Sequence, residues 1–243
     1  MKTKILFTAI LLISGLLLNA QSNNSQQLYI GMNAPEFKAQ STQGEINFPA
    51  DYYNKWKILF SHPADFTPVC TSEIIALAER QDEFKKLNAS LIVISTDGLS
   101  SHIEWVKSME GISRIGKEGV KIAFPLVADI NLDVVKKYNM MRHDTTDRHS
   151  VRSVVFIDPD NHVRAFFVYP DIIGRNVDEL LRTLTALQMA DKNNVLTPAN
   201  WKAGDDVLIR APKSMDDSEK LRLQNKPDMY SYTWYMWYKK MKL

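Results

Sequence analysis

Three things are scarce in this chain of 243 residues, and each scarcity excludes something. It holds one cysteine, so no intramolecular disulfide can staple it. It has almost no net charge: the formal +2 includes Lys2 and Lys4 at the extreme N-terminus, and the rest is balanced, which leaves no electrostatic footprint for a nucleic acid. It has no apolar run of the roughly 20 residues that cross a bilayer, because the stretch from Ile5 to Leu18 is too short and is interrupted by Ser14 and Gly15. What remains is 45% hydrophobic and 24% charged, an ordinary globular composition that excludes disordered and collagen-like chains.

Residues 1–20 read instead as a secretory signal: Lys2 and Lys4, the short apolar run, and Leu18-Asn19-Ala20 as a small-residue cleavage site. The mature chain then begins near Gln21, with a polar leader over 21–27, and the expected location is a periplasm or the cell exterior. Exported proteins usually pair their cysteines. A solitary thiol there is inert, intermolecular or reactive.

The remainder alternates in type. Phe37–Ala39 and Ile46–Phe48 read as strands around Gln43-Gly44, Lys57–Phe60 as a buried strand, and Leu91–Thr96 as a β-branched strand covered on both faces. Between them, Ile74, Leu77, Ala78, Phe84 and Leu87 recur at helical spacing, and Ser100 or Ser101 is placed to cap the next helix. Phe124–Val127, a short helix near Val134–Tyr138, and two strands, Val154–Ile157 and Val163–Val168, follow; Asp158-Pro159-Asp160-Asn161 joins the last two as a turn. A helix from about Asn176 to Ala190 closes the series. The pattern predicts an α/β fold over 28–190, a mixed central sheet with helices on both faces and an antiparallel hairpin at one side. Residues 191–243 read as a small appended domain: Lys213 to Asp228 is polar, and Tyr230, Tyr232 and Trp234 alternate as in a half-buried strand. That aromatic end admits a membrane-surface reading, but packing against protein, across a dimer for example, is favoured, because aromatics dominate protein interfaces and no hydrophobic span accompanies these.

The cysteine stands in His62-Pro63-Ala64-Asp65-Phe66-Thr67-Pro68-Val69-Cys70-Thr71-Ser72-Glu73. With Thr67 as N-cap, Pro68 falls at the first helical position, where its missing N–H costs nothing, and Cys70 falls at the third. That third position is where a capping box holds an acidic side chain, since unpaired N–H groups and the helix dipole favour negative charge there. The segment is built to hold a negative sulfur, the nucleophilic form of cysteine.

"SHPADFTPVCTSE", Ser61 to Glu73, resembles the active-site segment of peroxiredoxins, thiol peroxidases of thioredoxin-like fold; Pro63, Thr67 and Cys70 match its proline, threonine and peroxidatic cysteine. "GMNAPEF" (31–37), "VRSVVFIDPD" (151–160), "GRNVDELLRTLTALQ" (174–188) and "TPANWKAGDDVLI" (197–209) resemble the one-cysteine branch. The resemblance implies a homodimeric thioredoxin-like peroxidase that needs no metal or organic cofactor. Cys70 would attack a peroxide held by Thr67 and the Cys70 N–H, Arg152 would contact thiolate and peroxide, and Pro63 would shield the pocket. Glu73 and Arg175 match further family positions, expected to orient Arg152 or add positive potential, and His62 precedes the motif proline as in that branch. Arginines are more often solvated surface charges, and His62 could be a plain loop residue. With no second cysteine, the oxidised sulfur has to be reduced by an external thiol or redox protein.

Two further chemistries are disfavoured. His143 and His149 are loosely spaced and lack cysteine support for a metal. Lys55 stands where mammalian members of the branch carry the serine credited with lipase activity, and no other G-x-S-x-G elbow exists. A redox-idle holdase using the aromatic C-terminal part is the remaining rival.

Overall fold

A computed structural model of the protein describes residues 27–112, 119–142, 148–224 and 226–241. The expected signal segment, most of the leader, and His143 lie outside the described residues. Seven strands form one mixed sheet in the order β2-β1-β5-β4-β3-β6-β7: β1 (Phe37–Ser41), β2 (Gly44–Phe48), β3 (Trp56–Ser61), β4 (Ala89–Ser95), β5 (Leu126–Ala128), β6 (Arg152–Ile157) and β7 (Val163–Tyr169). Strands β3, β4 and β5 run parallel, while β6 pairs antiparallel to β3 and continues into β7 through the expected turn. Gly44, at φ +101°, makes the tight return from β1 to β2 that a side chain would resist.

Alternating side chains of the central strands enter two separate cores. Ile58, Phe60, Leu91, Val93, Val154 and Phe156 pack with α1 (Pro68–Lys86), α2 (Leu99–Glu110) and α4 (Val177–Asn193). Leu59, Ile92, Ile94, Val155 and Ile157 point the other way, onto Phe37, Phe48 and α3 (Asp133–Lys137). Each such fully buried aliphatic or aromatic side chain stabilises the fold by about 1.5–3 kcal/mol relative to exposure. Every residue of β3 and β6 is buried, as strands covered on both faces require. Lys57 is the charged exception in β3; its Nζ donates to the Asp158 carbonyl (2.8 Å) and to Asn161 Oδ1 (2.6 Å) at the strand's end.

Beyond α4 a second sheet, in the order β8-β10-β9, is formed by β8 (Val207–Leu208), β9 (Met229–Thr233) and β10 (Met236–Lys239). Trp201, 1% exposed, anchors it with Ala186, Val195 and Val207. Two local expectations need correction, and one helix was not anticipated. Helix α2 starts after Gly98 rather than at a serine cap: Ser100 and Ser101 lie within its first turn, and the Ser101 hydroxyl donates to Asp65 (2.7 Å). The polar stretch contains a helix, α5 (Met215–Leu223), which buries nothing and so shows no apolar periodicity; its start is capped by Ser214, which accepts from the Asp217 N–H. The expected half-buried alternation of Tyr230, Tyr232 and Trp234 also fails: β9 ends at Thr233, Trp234 lies in the turn to β10, and it and Tyr232 are 65% and 71% exposed.

Candidate active site

The parallel pair β3–β4 delivers the loop His62–Thr67 to the start of α1. Phe66 takes a left-handed backbone, φ +54°, unusual for a bulky residue, and turns the chain into Thr67, which is extended. Thr67 is the N-cap residue and Pro68 the first helical one, so Cys70 stands third in the helix. The cap is made differently from expectation. The Thr67 hydroxyl donates back to the Ala64 carbonyl (2.9 Å) and makes no bond to the helix; only the Thr67 carbonyl engages it, accepting from the Thr71 N–H. The hydroxyl is committed to holding the loop. Among the described residues, no hydrogen bond claims the Val69 or Cys70 N–H, which leaves two donors beside the sulfur for an anion.

Cys70 is a free cysteine, fully buried. From the start of β6, Arg152 Nη1 reaches to 3.3 Å from Sγ and donates to Glu73 Oε2 at 2.6 Å, while its Nε donates to the Asp171 carbonyl (2.9 Å). Glu73 lies one turn along α1 from Cys70. Its other oxygen accepts from both the backbone N–H (2.7 Å) and Nε (2.8 Å) of Arg175, whose Nη2 donates to Oε2 (2.7 Å). Arg175 Nη1 donates to the carbonyls of Ser61 and Ser153, and its guanidinium lies on the Phe60 ring. Both arginines are buried, at 3% and 6% exposure, so neither is a solvated surface charge.

The electrostatics follow from the inventory. Burial pushes the Glu73 carboxyl up, but hydrogen bonds and charge from Arg175, with Arg152 behind, hold it below the usual carboxylate range. Burial likewise lowers Arg175, with Glu73 opposing. Two guanidinium groups and one carboxylate leave a unit of positive charge unbalanced in a dry site, with Arg152 Nη1 3.3 Å from the Cys70 sulfur.

His62 sits behind this cluster. Its ring is fully buried against Trp105, with Nε2 3.0 Å from Asp65 Oδ1 and with Nδ1 lacking a hydrogen-bond partner among the described residues. Burial pushes His62 below the ordinary imidazole range, with Asp65 opposing. Asp65 also faces Ser101 and His102, and its N–H donates to Asp97 Oδ2. His62, Asp65 and Asp97 bring potential ligand atoms within 4.8 Å of one another, but both Asp65 oxygens and Asp97 Oδ2 are engaged in hydrogen bonds. The group is a hydrogen-bond network. Sequence reasoning missed Asp65 and His102; Asp65 lies inside the quoted segment, whereas nothing local marks His102.

Pro63 lines a cleft of about 400 Å³ with Arg142, His149, Tyr169 and Asp171, the last being the residue whose carbonyl holds Arg152. A larger cleft, about 750 Å³, lies at Tyr52, Lys55, Lys85 and Lys121, and Cys70, Glu73, Arg152 and Arg175 are not among its lining residues.

The AhpC/TSA family model matches residues 30–166, more than half of the chain, and the model for the C-terminal domain of 1-Cys peroxiredoxin matches 186–225. The chain belongs to the peroxiredoxin family. A curated peroxiredoxin of Methanosarcina mazei is 43% identical over 212 residues, 87% of this chain and 97% of its own length. Another, from Thermotoga maritima, is 40% identical over 215 residues, covering 87% and 97%. Among solved structures, a yeast mitochondrial 1-Cys peroxiredoxin superposes with a TM-score of 0.77 at 36% identity, over 88% of this chain and all of its own; that structure concerns thiol resolution through glutathione and thioredoxin systems. Peroxiredoxin 6 of Arenicola marina, as a cysteine-to-serine mutant, gives 0.77 at 29% identity over 88% and 99%. The thioredoxin-like fold is shared, and this peroxiredoxin is a peroxidase, an oxidoreductase.

Proposed function

We propose that this peroxiredoxin reduces hydrogen peroxide and organic hydroperoxides at Cys70 and is regenerated by an external thiol. The observation that carries the reading is the placement of the only cysteine at a helix N-terminus, 3.3 Å from Arg152 Nη1. The thiolate sulfur attacks the terminal peroxide oxygen in line. An S–O bond forms as the O–O bond breaks; sulfur is oxidised to sulfenic acid, and the departing oxygen leaves as water or an alcohol after taking a proton. Charge shifts from sulfur to the departing oxygen, so donors fixed around that path stabilise the transition state. Arg152 supplies a guanidinium fork and the Cys70 N–H an unclaimed donor, while the Thr67 hydroxyl, its proton given to Ala64, can accept from the peroxide O–H, and Pro63 is a wall against water. Glu73 and Arg175 act through Arg152: one carboxylate clamps both guanidinium groups.

Regeneration takes two equivalents of thiol. The first condenses with the sulfenic acid to a mixed disulfide and water; the second displaces Cys70 thiolate as the small disulfide leaves. A small thiol or a redox protein fills that role, since the chain has no second cysteine. Export after cleavage near Ala20 is part of the same reading, resting on residues 1–20, and N-terminal sequencing of the exported protein should begin close to Gln21. So is a homodimer: β7 ends the seven-stranded sheet with Phe166 and Val168 exposed, an edge suited to strand pairing with a second copy, which sedimentation would reveal. No helix of the described residues is long and apolar enough to cross a membrane.

Stopped-flow mixing of the reduced protein with hydrogen peroxide tests the reading. Fast single-turnover loss of peroxide with added oxygen on the Cys70 peptide is expected, and Cys70→Ser should show neither. Equal slow rates in both proteins would leave a redox-idle holdase in place of the enzyme.

A further inference from the structure

The loop that carries Pro63 and Thr67 is fastened from behind by a histidine that the peroxidase chemistry does not use. His102, on α2, is completely buried. Its Nδ1 lies 2.8 Å from Asp65 Oδ2, and its Nε2 lies 3.1 Å from the Val127 carbonyl. A neutral imidazole has one N–H and one bare nitrogen, and a backbone carbonyl can only accept. Nε2 therefore carries a proton, and Nδ1 faces the carboxyl group either as a second N–H or as a lone pair meeting a protonated Asp65. In both cases the pair holds one proton more than a neutral histidine beside a carboxylate.

Asp65 decides where that proton sits. Oδ2 also accepts from the Ser101 hydroxyl (2.7 Å), and Oδ1 faces His62 Nε2 (3.0 Å). Burial disfavours the charge on this carboxyl, but the Ser101 hydroxyl and His62 Nε2 are both placed to donate to it whichever way His102 is protonated. An acid facing two such donors stays ionised.

We propose that His102 is a buried imidazolium whose ion pair with Asp65 positions the loop His62–Thr67, and so Pro63 and Thr67, beside Cys70. The same proton count explains the orphaned atom of His62: Asp65 takes the Nε2–H, and Nδ1 is left as a buried lone pair with no hydrogen-bond partner among the described residues. The loop is then tied at Asp65 to α2 and β5 through His102, to α2 again through Ser101, and to Asp97 through its own N–H (2.9 Å). His102 is a positioning residue, since it touches neither sulfur nor peroxide. The positioning role rests on the peroxidase reading above; the protonation state does not.

The experiment uses the reduced full-length protein labelled with ¹⁵N-histidine, its ring nitrogens observed by long-range ¹H–¹⁵N correlation at neutral pH. Two protonated ring nitrogens are expected on His102, and a protonated Nε2 with a bare Nδ1 on His62. A bare nitrogen on His102 overturns the proposal. Asp65→Asn keeps the shape but offers an amide N–H to Nδ1, so His102 should lose one ring proton; retention of both would overturn the dependence on Asp65. For the positioning role, His102→Leu leaves the Asp65 carboxylate buried without its cation and should slow Cys70 oxidation by hydrogen peroxide about ten- to a hundredfold. Adding Asp65→Asn removes the stranded charge and should recover about half of that loss on a logarithmic scale. A wild-type rate in the single variant, or no recovery in the double, overturns the positioning role. If His102→Leu does not fold, the spectra of the wild type and Asp65→Asn still decide the ion pair. A wild type inert to peroxide would sink the peroxidase reading while leaving those spectra to stand.

Discussion

Arg152 donates through Nη1 to Cys70 Sγ across 3.3 Å, bridging 82 residues of sequence. The same nitrogen donates to Glu73, and Nε is anchored on the Asp171 carbonyl, so the guanidinium plane is fixed at both ends before any peroxide arrives. Preorganisation of this kind needs no rearrangement as charge moves from sulfur to oxygen.

Arg152→Met should therefore lower the second-order rate constant for peroxide by about a hundred- to a thousandfold, the usual cost of losing one transition-state donor. Arg152→Lys should recover only part of it, because a point charge cannot serve sulfur, Glu73 and the Asp171 carbonyl at once. Stopped-flow rates within about threefold of wild type in Arg152→Met would remove the guanidinium from the mechanism.

Glu73→Gln should cost stability as well as rate. The carboxylate is 2% exposed in its side chain and carries four hydrogen bonds from two arginines. Its loss leaves two guanidinium groups facing each other in a dry site, and breaking a buried pair in this way costs about 3–5 kcal/mol. Urea denaturation reads the change directly; a midpoint equal to wild type would show that water reaches the cluster.

Much of this site is legible in the order of residues because it is local. Thr67, Pro68 and Cys70 are cap, first and third positions of one helix, and a helix start is a short-range object. The sheet is legible for the same reason: β-branched runs such as Leu91–Ile94 and turn residues such as Asp158–Asn161 carry their own structure. What does not show is who pays which hydrogen bond. The Thr67 hydroxyl turns to Ala64 instead of the helix, and Glu73 clamps an arginine 102 residues away; both depend on how the loop and β6 meet. His102 is invisible for the same reason, being an ordinary helix residue until β5 and the loop close around it. Helix α5 escapes because a helix that buries nothing has no periodicity to find.

Thr67→Ser keeps the hydroxyl that donates to Ala64 and should hold the peroxide rate within about threefold, whereas Thr67→Val frees the loop and removes a polar contact for peroxide. The valine variant should be slower by about a hundredfold, through the loosened loop and the lost acceptor for the peroxide O–H. Equal rates in the two variants would reduce Thr67 to a residue of suitable shape.

Acid should unfold the protein in two stages whose signs follow from the buried groups. His62 is kept neutral by burial, below its ordinary value of 6.5, so in the window beneath 6.5 the unfolded chain binds more protons than the native one. The His62 contribution is then complete above 6.5 and falls as pH drops through that window. Glu73 and Asp65 behave as depressed acids: their stabilisation is present above the ordinary 4.5 and 3.8 and is lost as pH falls through their lower native values. Asp129 has the opposite sign, since burial raises it above 3.8 despite three backbone N–H bonds, and it returns part of the loss as pH falls through its raised native value toward 3.8. Urea midpoints taken from about pH 7.5 to about pH 4 should therefore decline from near 6.5 downward, and His62→Asn should flatten the first stage while leaving the second. A wild-type midpoint constant down to about pH 5 would show that His62 takes up its proton without cost, and the buried neutral imidazole behind the Cys70 loop would have to be given up.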